Sequence, residues 1–148
     1  MILKAGRYTL FGVVLLSISC ASGKTSFSGF NEYLSYGTIG GVQPSYQEYR
    51  IYKNGSLRKY DTRNREGIVM LSFSEQQTKQ FYELIKNIAD TGFSINESSG
   101  NQTYFIKLVK DKEEIVSFVW SDASNTISEL EYIHVLLIKV SIDRFHKM

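Results

Sequence analysis

The chain has 148 residues, of which 43% are hydrophobic, 14% aromatic and 22% charged. That composition fits one globular domain and excludes a disordered tail, a collagen-like repeat and a multidomain assembly. With 17 Lys+Arg against 15 Asp+Glu the formal charge is +2, and the single cysteine excludes a disulfide framework or a multi-thiolate metal site.

Residues 1–19 read as a secretory signal: Lys4 and Arg7 make a basic start, Tyr8 to Leu16 an apolar centre, and Ser17, Ile18 and Ser19 a small-residue approach to Cys20. The apolar run falls short of the ~20 residues that span a bilayer, which makes a transmembrane anchor the weaker reading. Leu16-Ser17-Ile18-Ser19-Cys20 resembles the lipobox of bacterial lipoproteins. The resemblance implies cleavage before Cys20, diacylation of its thiol and palmitate-type anchoring. Two or more acyl chains give stable membrane attachment. The alternative is a small thiol near an ordinary cleavage site, giving a secreted or periplasmic soluble protein. Removing Lys4 and Arg7 leaves as many cations as the 15 Asp+Glu. A nucleic-acid partner needs a surface of one sign, so none is expected.

The small, polar residues that follow Cys20 make 20–35 an anchor cysteine and flexible tether. From Tyr36 to Pro44 three glycines and the only proline predict a loop, with at most a bulged edge strand at one end. Tyr46 to Tyr52 predicts a strand, with Tyr46, Glu48, Arg50 and Tyr52 on one side and Gln47, Tyr49 and Ile51 on the other. Asn54-Gly55 is a hairpin signal, since both residues accept the positive φ of a type I′ turn. Leu57 to Thr62 is the return strand, and Ile68 to Phe73 another short one.

Ser74 and Gln77 predict a capping box for a helix with Phe81, Leu84, Ile85 and Ile88 along its apolar stripe and Gly92 ending it. After a polar loop, Thr103 to Val109 and Glu114 to Trp120 predict a second hairpin. Thr126 and Glu129 form another capping box, before a helix with Ile127, Leu130, Ile133, Leu137 and Val140 on one face. The order is hairpin, helix, hairpin, helix. It predicts a single α+β domain over 36–148, an antiparallel sheet of four to five strands with two helices on one face. Tyr49-Arg-Ile-Tyr-Lys-Asn-Gly and Phe105-Ile-Lys-Leu-Val-Lys-Asp suggest a degenerate repeat.

Chemistry is sparse. His134 and His146 have no thiolate or carboxylate at ligand spacing, so no metal or other cofactor is expected. The glycines at 37–41 precede a strand, whereas a phosphate loop opens a helix; they read as turn residues. The run Asp111-Lys112-Glu113-Glu114 reads as a solvated turn, and the sequons at Asn54, Asn96 and Asn101 as turn composition. No catalytic constellation is found. The surplus is aromatic: ten Tyr, nine Phe and Trp120. Tyr46, Tyr49, Tyr52, Tyr104 and Trp120 are the candidate partner-binding face, against the plainer reading of cross-strand aromatic pairs that merely clothe a sheet.

Taken with the lipobox, Tyr36-Gly-Thr-Ile-Gly-Gly41, Tyr46 with Glu48 and Tyr49, Asn54-Gly55, Gly100-Asn101 with Tyr104 to Ile106, and Val119-Trp120 resemble an uncharacterised family of small lipoproteins of Bacteroidota. The resemblance implies a lipid-anchored envelope protein, at the outer membrane, and supplies no catalytic residue. The expectation is therefore a non-enzymatic module that binds an envelope protein or a glycan. One alternative is an inhibitor-like module presenting the loop Gly92 to Asn101 to an envelope hydrolase. The other is a hydrolase using Asp122, Ser124 and His134.

Overall fold

Eight elements make up the described part of the chain. They are β1 (Glu32–Gly40), β2 (Ser45–Tyr52), β3 (Leu57–Asp61), β4 (Ile68–Met70), α1 (Glu75–Asp90), β5 (Gln102–Lys110), β6 (Glu113–Ser121) and α2 (Ser128–Phe145). The structure is a computed structural model and describes residues 31–43, 45–63, 65–70 and 72–145. The residues read as a signal, 1–19, together with Cys20, Pro44 and His146, lie outside the described residues.

The strands form one antiparallel sheet in the order β4-β3-β2-β1-β5-β6. It has six strands, where the sequence predicted four to five. The additional strand is β1, which lies at its centre, paired with β2 on one side and β5 on the other. Residues 36–40, expected in a loop, are its second half, and Glu32 to Ser35, expected in the tether, are its first. The domain therefore begins by Glu32. Glycine weakens a strand by its freedom when unfolded, but here two complete ladders flank it. Gly37 is also the one residue that fits: a Cβ there would lie 2.0 Å from the Gln47 carbonyl oxygen. Gly40 and Gly41, with φ of 96° and 103°, turn the chain into β2.

Alternation along β1 sends Leu34 and Tyr36 to one face of the sheet, and cross-strand pairing adds Tyr49, Ile51, Ile106, Leu108, Phe118 and Trp120 to it. That face packs against Tyr82 and Ile85 of α1 and Leu130, Ile133 and Leu137 of α2 in one core. Three buried hydroxyls on this side are hydrogen-bonded. Tyr36 and Ser141 share a 2.5 Å hydroxyl hydrogen bond, the Tyr82 hydroxyl donates to the Ile51 carbonyl at 3.0 Å, and Ser141 donates to Leu137 at 2.8 Å.

The Ser74–Gln77 capping box forms as expected, and Gly92 leaves α1 with φ 80°. The buried stripe of α1 is Thr78, Tyr82 and Ile85, with Phe81 and Ile88 partly covered and Leu84 38% exposed. The helix is thus rotated from the expected stripe so that Tyr82 can reach the Ile51 carbonyl. The Thr126–Glu129 box does not form. Thr126 Oγ1 has no partner among the described residues, and the turn instead closes on the Ile127 carbonyl, which accepts from Leu130 and Glu131.

Both hairpins occur, but the type I′ geometry expected at Asn54-Gly55 is found instead at Asp111-Lys112. Asp111 and Lys112 take φ of 51° and 71°, the two-residue turn with both centres left-handed. At Asn54-Gly55 only Gly55 is left-handed, and the Tyr52 carbonyl accepts from Gly55 in a three-residue loop. The suggested repeat is not structural: four strands precede α1 and two lie between α1 and α2. Its aligned members Tyr49 and Phe105 face opposite sides of the sheet, Tyr49 opposite Tyr36 and Phe105 opposite Gly37.

Candidate functional site

The second face of the sheet carries neither α1 nor α2, and it is covered by its own long side chains. Its middle is hollow because β1, the central strand, contributes only Ser35 and Gly37 there, between Glu48 and Arg50 on β2 and Phe105 and Lys107 on β5. The resulting cavity of 290 Å³ extends from Tyr46 on β2 to Glu114 and Val119 on β6.

Glu48 is the centre of one wall. It is 4% exposed, and a carboxylate in that setting must be paired and hydrogen-bonded. Arg50 grips it with two bonds, Nε to Oε1 at 2.6 Å and Nη2 to Oε2 at 2.9 Å. Ser35 Oγ donates to Oε1 at 2.6 Å, and the Tyr46 hydroxyl donates to Oε2. Burial pushes the Glu48 carboxyl up, but the Arg50, Ser35 and Tyr46 hydrogen bonds and the Arg50 charge outweigh it and hold it below the usual carboxylate range. The same contacts act on the partners. Burial pulls the Arg50 guanidinium down, yet the bonds to Glu48 raise it overall, while burial and the Glu48 bond both raise the Tyr46 phenol.

Arg50 is held from its sides as well, 4.9 Å from the Tyr33 ring centre and 4.2 Å from that of Tyr60. Tyr60 shares a 2.9 Å hydroxyl bond with Tyr52, and burial followed by that bond pushes Tyr52 up to about 12. Across the hollow, the rings of Tyr46 and Phe105 stack with centroids 6.5 Å apart and planes 11° from parallel. Lys107 closes the far side, its Nζ 2.6 Å from Glu114 Oε1 and 6.0 Å from the Phe105 ring. At neutral pH the centre is an ionised, fully bonded Glu48, a charged Arg50 and a protonated Tyr46. Such a set presents fixed donors, acceptors and ring faces; none of its members is poised to exchange a proton.

The five aromatic residues expected to form one face divide between two. Tyr46 and Tyr52 stand on the open face. Tyr49, Tyr104 and Trp120 point into the helical side, with Tyr49 stacked on Tyr36 at 5.7 Å and Tyr104 on Trp120 at 5.8 Å. Strand alternation requires this, since Tyr49 is an odd number of residues from both Tyr46 and Tyr52. Tyr49 and Trp120 are each 2% exposed and cannot meet a partner. The residues missed were Ser35, Glu48, Arg50, Phe105, Lys107 and Glu114. The grouping of Glu48 and Arg50 with Tyr46 and Tyr52 was present in the alternation of β2.

Of the hydrolase set, Asp122 and His134 line a separate cleft of 360 Å³ with Tyr104 and Trp120. The His134 Nε2–H donates to the Gly37 carbonyl at 3.0 Å, and the ring stands edge-on to Tyr104 and Trp120, 5.4 Å from each. Burial lowers its pKa, only partly offset by the Gly37 bond. Ser124 Oγ accepts from the Ser121 amide at 2.9 Å and lies 3.0 Å from Ser121 Oγ. Asp122 Oδ1 accepts from the Gln102 amide at 3.4 Å, so the hydrogen bonds of the three residues run to Gln102, Ser121 and Gly37 and not to one another. The loop Gly92 to Asn101 is laid along the β6 edge, with Glu97 N–H donating to the Val119 carbonyl at 2.8 Å and Val119 N–H to Ile95 at 3.1 Å. Among the described residues no group of three His, Cys, Asp or Glu is placed to hold a metal ion, and no helix is long and apolar enough to cross a membrane.

No protein-family model matches the chain, and no curated protein matches its sequence.

Proposed function

We propose that the protein is a lipid-anchored module of the bacterial envelope, held by Cys20, that binds an envelope protein or a glycan through the open face of its sheet. The observation that carries the binding role is the 290 Å³ hollow of that face, walled by the Glu48–Arg50 pair and the Tyr46 and Phe105 rings. Pockets that bind ligands combine ring faces with a few convergent, fixed polar groups, and this hollow has both. It holds a partner and does not transform one, since its acidic and phenolic groups are committed to each other. The anchor rests on the lipobox-like residues up to Cys20, and the short stretch from there to β1 suits a domain working close to a membrane surface.

The test is fractionation combined with crosslinking in bacterial cells. The unaltered chain should sediment with membranes and label with palmitate, and Cys20→Ala should lose both. A photo-crosslinking residue at Lys107 should give discrete adducts, and one at Val135 on α2 should not. Membrane association that survives Cys20→Ala refutes the anchor. Adducts from Val135 with none from Lys107 refute the open face.

A further inference from the structure

We infer that the open-face hollow is a subsite for one uncharged sugar ring, a neutral pyranose with vicinal hydroxyls; this rests on the reading of that face as the binding surface and names its ligand class. Charge comes first. The cavity is lined by Glu48, Arg50, Lys107 and Glu114, and they are paired off within it, at 2.6 Å between Arg50 and Glu48 and 2.6 Å between Lys107 and Glu114. No uncompensated charge remains to draw in an anion or a cation, and an ionised ligand would lose its hydration without gaining a counter-ion.

Shape and bonding capacity narrow the class further. A volume of 290 Å³ lies at the lower end of ligand pockets, room for one ring and not for an extended chain. The near-parallel Tyr46 and Phe105 rings offer apolar faces to the C–H side of such a ring. At the rim, the Lys107 ammonium has three N–H donors and the Glu114 carboxylate about four acceptor sites, of which their mutual bond uses one each. Adjacent hydroxyls, each both donor and acceptor, can bridge that pair through charge-assisted bonds. A peptide strand would instead seek an unpaired sheet edge. The hollow lies on the face of β2, β1, β5 and β6, where the central backbone is already bonded on both sides.

The experiment titrates the purified full chain with gluco-, galacto-, manno- and xylo-hexaoses and chitohexaose, with hexagalacturonate as the anionic probe and a decapeptide library as the protein-like one. Isothermal calorimetry should give saturable binding of at least one neutral oligosaccharide and none of hexagalacturonate. Tyr46→Ala and Lys107→Met should each weaken binding at least tenfold, while Val135→Ala leaves it unchanged. Circular dichroism of each variant excludes misfolding as the cause. Absence of binding by every neutral probe, or neutral binding that survives both rim substitutions, overturns the inference. Hexagalacturonate or peptide binding that Tyr46→Ala and Lys107→Met abolish overturns the sugar class and leaves the open face standing as a binding surface. Crosslinks from Val135 alone would remove that surface itself.

Discussion

Replacing Glu48 by Gln removes one charge from the open face while keeping its shape, and the structure gives the size of the effect. Glu48 accepts from Ser35, from Tyr46 and twice from Arg50. An amide nitrogen at either oxygen position faces donors on two sides, so at least one of these bonds becomes a donor-donor contact. Breaking a buried ion pair by removing one partner costs about 3–5 kcal/mol. The Arg50 side chain is 28% exposed and regains some hydration, which brings the expected cost to roughly 2–3 kcal/mol. At about 2–4 °C per kcal/mol for a chain of this size, the melting temperature should fall by roughly 5–10 °C.

The pH dependence gives a second signature of the same substitution. The folded carboxyl titrates below its unfolded value, so its contribution is fully present above the unfolded pKa and is lost as the pH falls through the folded one. Glu48→Gln should therefore cost most at pH 7 and progressively less below about pH 4.3. Urea unfolding followed by the fluorescence of Trp120, the only tryptophan and a buried one, measures both. A cost under about 0.5 kcal/mol at pH 7, or a cost that does not change with pH, would refute the reasoning.

Other regions give independent tests. Gly37→Ala forces a Cβ to 2.0 Å from the Gln47 carbonyl and should cost about 3 kcal/mol or more, since only a backbone shift relieves it; a neutral outcome in thermal melts would contradict the β1–β2 approach. On α1, Ile85→Ala should lose about 2–4 kcal/mol and Leu84→Ala under about 1 kcal/mol, and equal losses would contradict the rotation of that helix. The His134 imidazole is lowered by burial, so its stabilising effect holds above the unfolded pKa of about 6.5 and is lost as the pH falls below it. Its NMR titration midpoint should lie below that of a free histidine, and a raised midpoint would contradict the burial of the ring as the dominant influence.

What the sequence conveyed depended on whether the decisive interaction was local. The α1 cap needs only Ser74 and Gln77, three residues apart, and the β5–β6 hairpin only the alternation on either side of Asp111-Lys112; both were legible. β1 was not, because its glycines argue locally for a loop. What makes it a strand is two partners reached across the chain, Gln47 on β2 and Phe105 on β5. The site failed for the same reason. Tyr49 and Trp120 attract notice as aromatics, yet their faces follow from strand parity and from where the helices pack. Glu48 and Arg50 were placed on one side by alternation, but their worth as a wall depends on the small side of β1 beside them, which no periodicity in β2 reveals.

Chemical-shift mapping of the isotope-labelled full chain, titrated with oligosaccharides released from bacterial envelopes, tests the binding account most directly. Saturating shifts should cluster at Tyr33, Ser35, Tyr46, Phe105 and Lys107, with α2 unchanged. Shifts confined to Tyr132, Val135 and Ile142 on α2, with the open face silent, would contradict it.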